Sequence, residues 1–200
     1  MQKENEPLEY VRGFAEFLGC KIDLSKRPLI PRLETEYWVK KALCDIRPGA
    51  KVLDIFAGSG CIGIAILRHV KNAKVTFADK YKYFDKPNFI KSDVFSKVVG
   101  KYDYIFANPP YIAEKLRYKV QKSVLKYEPK TALFGGGDGL FYIRKFLKDA
   151  KKHLNAGGTI FMEFSPEQKK EIEKFLIKFN YKNWKFHKDQ FDRWRWAVVI

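Results

Sequence analysis

Short apolar runs alternate along this chain with segments of helical periodicity, and that alternation leaves few ways to fold it. Residues 52–55, 74–78, 88–91, 104–107 and 158–164 have the length and composition of buried strands. Between them lie helical patterns. Trp38, Val39, Ala42, Leu43 and Ile46 recur at helical spacing, and Pro48-Gly49 stops that helix. Ile62, Ile64, Ala65, Ile66 and Leu67 form a second apolar helix. Asp138 reads as the cap of a third, with Leu140, Ile143, Leu147, Ala150 and Leu154 on one face, ending near Gly157-Gly158. Ser165-Pro166-Glu167-Gln168 reads as a capping box ahead of a fourth, with Ile172, Phe175, Leu176 and Phe179 as its buried stripe. Residues 184–187 and 194–200 close the sheet as a hairpin-like pair. Strand–helix alternation of this kind predicts an α/β fold: a mostly parallel, seven-stranded sheet with helices on both faces. A small β-hairpin around residues 14–30 is an appendage. The expected division is an N-terminal segment, 1–31, and a catalytic domain, 32–200.

Chemistry concentrates at strand ends. Asn108-Pro109-Pro110-Tyr111 directly follows the apolar run 104–107, where open α/β sheets place ligands. The Asn108 side-chain carbonyl and the Pro109 backbone carbonyl can accept both hydrogens of one planar NH2 group. Pro110 fixes the backbone, and Tyr111 offers a flat face to a planar substrate. Such a nitrogen is a poor nucleophile because its lone pair is delocalised. Two accepted hydrogen bonds favour the charge it develops and aim it at an electrophile. A plain Pro-rich turn is the competing reading. Upstream, the strand that contains Asp54 enters Phe56-Ala57-Gly58-Ser59-Gly60, and an apolar helix follows. Gly58 and Gly60 permit close backbone approach or positive φ, and the helix start supplies free N–H groups. The spacing fits neither the dinucleotide fingerprint nor a phosphate loop. Asp79 ends the next strand, where an acid typically grips a ribose diol. Asp93 follows the third strand and can accept from an adenine amine, with Val94 against the ring. Singly, each acid also reads as a solvated carboxylate; their regular placement at successive strand ends favours a nucleoside-like ligand.

Four segments in order resemble the protein-(glutamine) methyltransferases that modify peptide-chain release factors. Pro7-Leu8-Glu9-Tyr10 with Gly13 and Phe17 is similar to that family's opening hairpin. Leu29-Ile30-Pro31-Arg32-Leu33-Glu34-Thr35-Glu36 resembles its P-R-P-E-T-E segment. Asn108 to Tyr111 matches its active-site motif, which adenine and guanine methyltransferases share. Glu128-Pro129 with Ala132-Leu133, then Gly135-Gly136-Gly137-Asp138-Gly139-Leu140, resembles its E-P-x-x-A-L and G-G-x-D-G-L segments, and Glu163 with Gln168 fits a further pattern. The resemblance implies a Rossmann-like fold and S-adenosyl-L-methionine as cofactor. It implies cofactor contacts from Asp54, Phe56, Ala57, Gly58, Ser59, Gly60, Asp79, Asp93, Val94 and Asn108. It implies catalysis by Asn108, Pro109 and Tyr111, with Arg32, Asn108, Pro109, Pro110 and Tyr111 holding a glutamine, expected in the Gly-Gly-Gln loop of a release factor. The family usually carries an N-terminal helical domain; this chain starts where the linker to it would end. Phe56 stands for the usual first glycine of the cofactor loop, which predicts a less closely wrapped backbone. Leu33 stands for a proline. Only residues 80–87 separate the second and third strands, too few for a standard crossover helix, so a turn is expected there and a less covered adenine edge.

Composition fits one catalytic domain. The chain has 200 residues, 46% of them hydrophobic, enough for a single core. No run reaches transmembrane length, and the polar opening does not read as a signal peptide. Three widely spaced cysteines fit neither a zinc site nor a disulfide framework and predict a reducing cytoplasm. No metal is expected, and His69, His153 and His187 read as surface or structural. A monomer without membrane attachment is expected. The net charge of +16 has a bland source in lysine enrichment. Yet Lys115, Arg117, Lys119, Lys122, Lys126 and Lys130 crowd the stretch after the active-site motif, against Glu114 and Glu128. That stretch is expected to rim the substrate entrance and to steer an acidic protein or a nucleic-acid backbone. Two alternatives therefore stay open: methylation of an adenine amine in RNA or DNA, and a non-catalytic cofactor-binding module associated with RNA or the ribosome.

Overall fold

The computed structural model describes residues 6–200; Met1 to Asn5, most of the polar opening, lie outside them. In chain order the elements are α1 (Leu8–Arg12), β1 (Phe14–Phe17), β2 (Cys20–Asp23), α2 (Leu33–Ala42), β3 (Lys51–Ile55), α3 (Cys61–His69), β4 (Lys74–Asp79), β5 (Phe89–Lys91), β6 (Tyr102–Ala107), α4 (Lys122–Tyr127), α5 (Phe141–Asp149), β7 (Leu154–Glu163), α6 (Lys169–Lys178), β8 (Trp184–Lys188) and β9 (Trp194–Val199). β1 and β2 pair antiparallel as the expected hairpin. The other strands form one seven-stranded sheet in the order β5-β4-β3-β6-β7-β9-β8. The first five are parallel, and β9 runs antiparallel between β7 and β8.

The strands are apolar on both sides because both faces are covered. Alternate residues serve opposite cores. Val52, Phe106 and Phe161 pack under α2, α3 and the hairpin, while Leu53, Ile105, Ile160 and Met162 pack under α5 and α6. Trp38 of α2 is fully buried and stacks on Phe106 and Trp196 at 5.9 and 6.0 Å. Burial of one such side chain contributes about 1.5–3 kcal/mol. No helix among the described residues is long and apolar enough to cross a membrane.

The third helix differs from its expected extent. α5 ends at Asp149, and a 3-10 turn over Ala150–His153 carries the buried face on through Ala150. Leu154 already pairs with Tyr102 in the sheet, and the ladder then shifts register before Tyr104. The Gly157-Gly158 pair therefore sits within the strand, with Gly157 at φ 73°, rather than ending a helix. Asp138 does not cap α5 as expected: Leu140 holds the N-cap position, and Asp138 Oδ1 accepts the Leu140 N–H at 2.9 Å in the turn before the helix. Between β4 and β5 there is no helix. Phe84 fills that connection, edge-on to Phe77 and Phe89 at 5.0 and 5.5 Å.

Candidate active site

From β3 the chain moves outward to β4 and β5; from β6 it moves the other way to β7. The carboxyl ends of β3 and β6 therefore open a crevice at the point of reversal, where ligands of such sheets bind. The two motif loops meet there. After β3, Phe56, Gly58 and Gly60 adopt φ of 60°, 53° and 77°. Glycine is required at position 60, since a Cβ would lie 2.8 Å from the Phe84 ring. Phe56 keeps a left-handed conformation that costs a non-glycine residue energy. Its ring packs against Tyr142 and Phe146 at 6.0 and 6.2 Å.

Two acids hold this loop. Asp54 is buried and its Oδ2 accepts the Gly63 N–H at 2.9 Å, tying β3 to the start of α3. Burial pushes its carboxyl up to about 8; the Gly63 N–H opposes the shift and Asp79 adds to it. Asp79 Oδ2 accepts the Gly58 N–H at 2.8 Å and Oδ1 the Tyr81 N–H at 2.9 Å. Burial raises its carboxyl too, against the pull of the N–H groups of Tyr81, Gly58 and Lys80.

A cavity runs along these strand ends. Phe56, Gly58, Asp79, Asp93, Val94 and Asn108 line it together with Ile55, Ala78, Tyr81, Tyr83, Ser92, Pro110 and Tyr142. Asp93 pairs with Lys145 at 2.8 Å, and Val94 adopts a φ of 54°. A second groove lies on the other side of the β6 loop, lined by Arg32, Glu34, Pro109, Tyr111, Val120, Val124, Glu163 and Arg193. Leu29, Asn108 and Ala132 line both. Arg32 donates to the buried Glu128 at 2.7 Å, which also accepts the Ile30 N–H at 3.1 Å.

The Gly-rich segment after α4 clamps the β6 loop. Ile112 and Phe134 form a parallel bridge, in which the Ile112 N–H donates to Leu133 O and the Gly135 N–H to Ile112 O, both at 2.9 Å. A Cβ on Gly139 would lie 2.3 Å from the Tyr111 carbonyl oxygen, and one on Gly135 would lie 2.5 Å from that of Pro110. Gln168 Nε2 donates to Tyr111 O and Gly139 O at 2.9 and 3.0 Å, so one side chain fastens both segments. Its own carbonyl accepts the Ser165 N–H at 3.0 Å within the expected capping box.

Of the residues expected to contact the cofactor, Phe56, Gly58, Asp79, Asp93, Val94 and Asn108 line the first cavity, while Asp54, Ala57, Ser59 and Gly60 do not. Asp54 is instead tied to the backbone of α3. Tyr111 does more than offer a face, since its hydroxyl donates to Glu163 Oε1 at 3.0 Å. Two residues with no expected role stand behind the motif. Thr35 and Glu163 are both 1% exposed and joined at 2.7 Å. A carboxylate closing the apolar run of β7 was the available signal. Burial pushes Glu163 up, against donors from Trp38, Thr35 and Tyr111 and the charge of Arg195. Cys61 is buried and its thiol pushed up to about 12, first by burial, which suits it to packing rather than nucleophilic attack. Among the described residues no group of three or more His, Cys, Asp or Glu could hold a metal ion.

The profile of the methyltransferase small domain family matches residues 17–141. The chain is 36% identical to the release factor glutamine methyltransferase of Lactococcus lactis, over 98% of this chain and 78% of that one. It is 35% identical to the enzyme of the same name from Streptococcus pneumoniae, over 98% and 75%. Among solved structures it is similar to the release factor-specific protein-(glutamine-N5) methyltransferase of Alicyclobacillus acidocaldarius, with TM-score 0.55 and 22% identity, covering 86% of this chain and 94% of that one. The E. cuniculi Mtq2–Trm112 complex, responsible for methylation of the eRF1 translation termination factor, superposes with TM-score 0.60 at 17% identity, covering 84% and 95%. These two likenesses speak for the fold.

Proposed function

From a chain that belongs to the release factor glutamine methyltransferase family, we propose transfer of a methyl group from S-adenosyl-L-methionine to the side-chain amide nitrogen of a glutamine, in the Gly-Gly-Gln loop of a release factor. The observation that carries this reading is that Asn108 lines both cavities, one of them nucleoside-shaped in its chemistry and the other open to a protein side chain. The donor set of the first cavity fits the cofactor. Asp79 supplies a carboxylate for a ribose diol, Val94 and Ala78 an apolar wall, Asp93 an acceptor for an adenine amine, and Gly58 a backbone approach free of side chain. When bound, the cofactor supplies an electrophilic methyl group on a positively charged sulfur.

The residues of this chain do the rest. Asn108 Oδ1 and the Pro109 carbonyl take the two amide hydrogens and fix the nitrogen lone pair in direction. Acceptors held in place before the reaction favour the partial positive charge that grows on that nitrogen. Tyr111 and Pro110 confine the amide plane, and Leu29 and Ala132 line both cavities beside Asn108. Arg32, held by Glu128, shapes the wall of the substrate groove. The reading places a monomeric enzyme in the cytoplasm, with its basic surface meeting the protein partner. The test is incubation of the full chain with labelled cofactor and either a release factor or RNA, followed by mass spectrometry. One added methyl on the Gly-Gly-Gln glutamine is expected; label on nucleic-acid adenine alone overturns the reading.

A further inference from the structure

An asparagine amide has two nearly isosteric orientations, and only one of them presents an acceptor to the reacting nitrogen. We propose that Thr35 and Glu163 are positioning residues that lock the Asn108 amide with its oxygen toward the cavities. Two donors converge on one oxygen of the Glu163 carboxylate. Trp38 Nε1–H has no lone pair, so Glu163 Oε2, 2.6 Å away, accepts from it. The Thr35 hydroxyl has one hydrogen, and it donates that hydrogen to the same Oε2 at 2.7 Å. Only lone pairs of Thr35 Oγ1 then remain to face Asn108. Oγ1 lies 3.3 Å from Asn108 Nδ2, and a lone pair there admits the NH2 and rejects the carbonyl oxygen. Oδ1 is left on the side away from Thr35, on a residue that lines both cavities.

Burial makes the device decisive. Thr35, Trp38 and Glu163 are 1%, 0% and 1% exposed, so water has no ready access to satisfy a flipped amide. Glu163 Oε1 is occupied by the Tyr111 hydroxyl, so one carboxylate also anchors the fourth residue of the motif. Three residues of α2 and β7, far from the motif in sequence, thus fix which way it points.

The inference rests on the functional reading above, and two measurements separate their fates. The first needs no turnover. In the full-length wild-type protein, nuclear Overhauser contacts should join the Asn108 side-chain NH2 protons to the Thr35 methyl group, with slow exchange against water. Absence of those contacts, or fast exchange, overturns the proposal even if the enzyme is active. Contacts present in a protein that fails to methylate any release factor sink the functional reading and leave this one standing. The second measurement is kinetic. Thr35→Val keeps shape and removes the acceptor; kcat should fall about tenfold or more, with cofactor Kd and substrate KM within about twofold. Thr35→Ser restores the hydroxyl and should recover most of the loss. An unchanged kcat in Thr35→Val, or losses in Kd and kcat that track a lowered melting temperature and are not recovered by serine, would show a merely structural contact.

Discussion

Asn108 and Asp79 sit at the ends of β6 and β4, the two strands that flank β3, yet they should fail in different ways when changed. Asn108→Ala removes an acceptor that works on the reacting nitrogen and leaves the cofactor wall nearly intact. Loss of the bond costs about 1–3 kcal/mol and misorientation adds to it, so methyl transfer should fall roughly a hundredfold or more. Near-normal turnover would remove Asn108 from the chemistry. Asp79→Ala should instead weaken calorimetric affinity for S-adenosylmethionine by about tenfold or more, since two hydroxyl bonds to a carboxylate contribute ~1.5–3 kcal/mol. An unchanged affinity would leave Asp79 as a clasp for Gly58 and Tyr81 only. Asp54 predicts a third outcome, in stability. Its folded carboxyl is raised from 3.8 to about 8, so the folded state holds its proton where the unfolded chain has released it. Stability from this group is therefore full at low pH and declines as pH rises across that window. Asp54→Asn keeps an acceptor for the Gly63 N–H and never ionises, so urea midpoints should fall less between pH 5 and pH 8 than in the wild type. Identical slopes in both proteins would contradict the buried, protonated state.

Elements explain which parts were legible in the residues and which were not. Strands β3, β4, β6 and β7 were legible because each is a continuous apolar run between two covered faces, and the motifs after them put the site at strand carboxyl ends; the reversal between β3 and β6 emerges only in the assembled sheet. The β4–β5 connection was legible from length alone. The end of α5 was not: Ala150 and Leu154 keep helical spacing, but Leu154 gains more as a strand residue against Tyr102. Thr35 and Glu163 both stand in the resembling segments, but the bond between them was hidden for a different reason. They are 128 positions apart, and a buried bond at that range has no local pattern. Gly139 shows the same limit in reverse, since its motif was visible while its reason was not. Its φ of 77° and the 2.3 Å gap between an added Cβ and the Tyr111 carbonyl make alanine costly there. Strain at such a backbone is on the order of 1–3 kcal/mol, and each kcal/mol lowers Tm by about 2–4 °C in a domain of this size. Gly139→Ala should thus melt several degrees earlier and lose methyl transfer, because the clamp on the β6 loop must shift. Its cofactor affinity should change little, as no residue from Gly135 to Leu140 lines the first cavity. A variant with wild-type Tm and turnover would mean that the Gly-rich segment does not brace the motif.

The molecule as a whole carries a net charge of +16, and burial sharpens its surface. Asp54, Glu128, Glu163 and Asp189 are withdrawn into the interior, so the acids that remain outside are fewer than composition implies. The basic stretch after the motif forms a 3-10 turn over Glu114–Lys119 and helix α4, and Lys119, Val120 and Val124 from it line the substrate groove. Lys115 and Lys122 are exposed beside that rim, outside the groove itself. Charges so placed act on approach more than on the bound state: they raise the local concentration of an acidic partner and speed association. Reversal of Lys115 and Lys122 to Glu should therefore slow methylation of a folded release factor at low salt. The deficit should narrow as salt rises, because exposed charges are screened over about 8–10 Å at physiological ionic strength. A short Gly-Gly-Gln peptide, which meets only the groove, should be methylated at an unchanged rate. Equal losses on peptide and folded factor would place these lysines in the groove chemistry instead. A nucleic-acid substrate makes a contrasting demand: binding to RNA or DNA would fall steeply and log-linearly with salt as counterions return to the phosphates, and the double reversal would flatten that slope by about one contact per lysine. Salt titration of the two variants on both substrates separates steering of a protein from grip on a phosphate backbone.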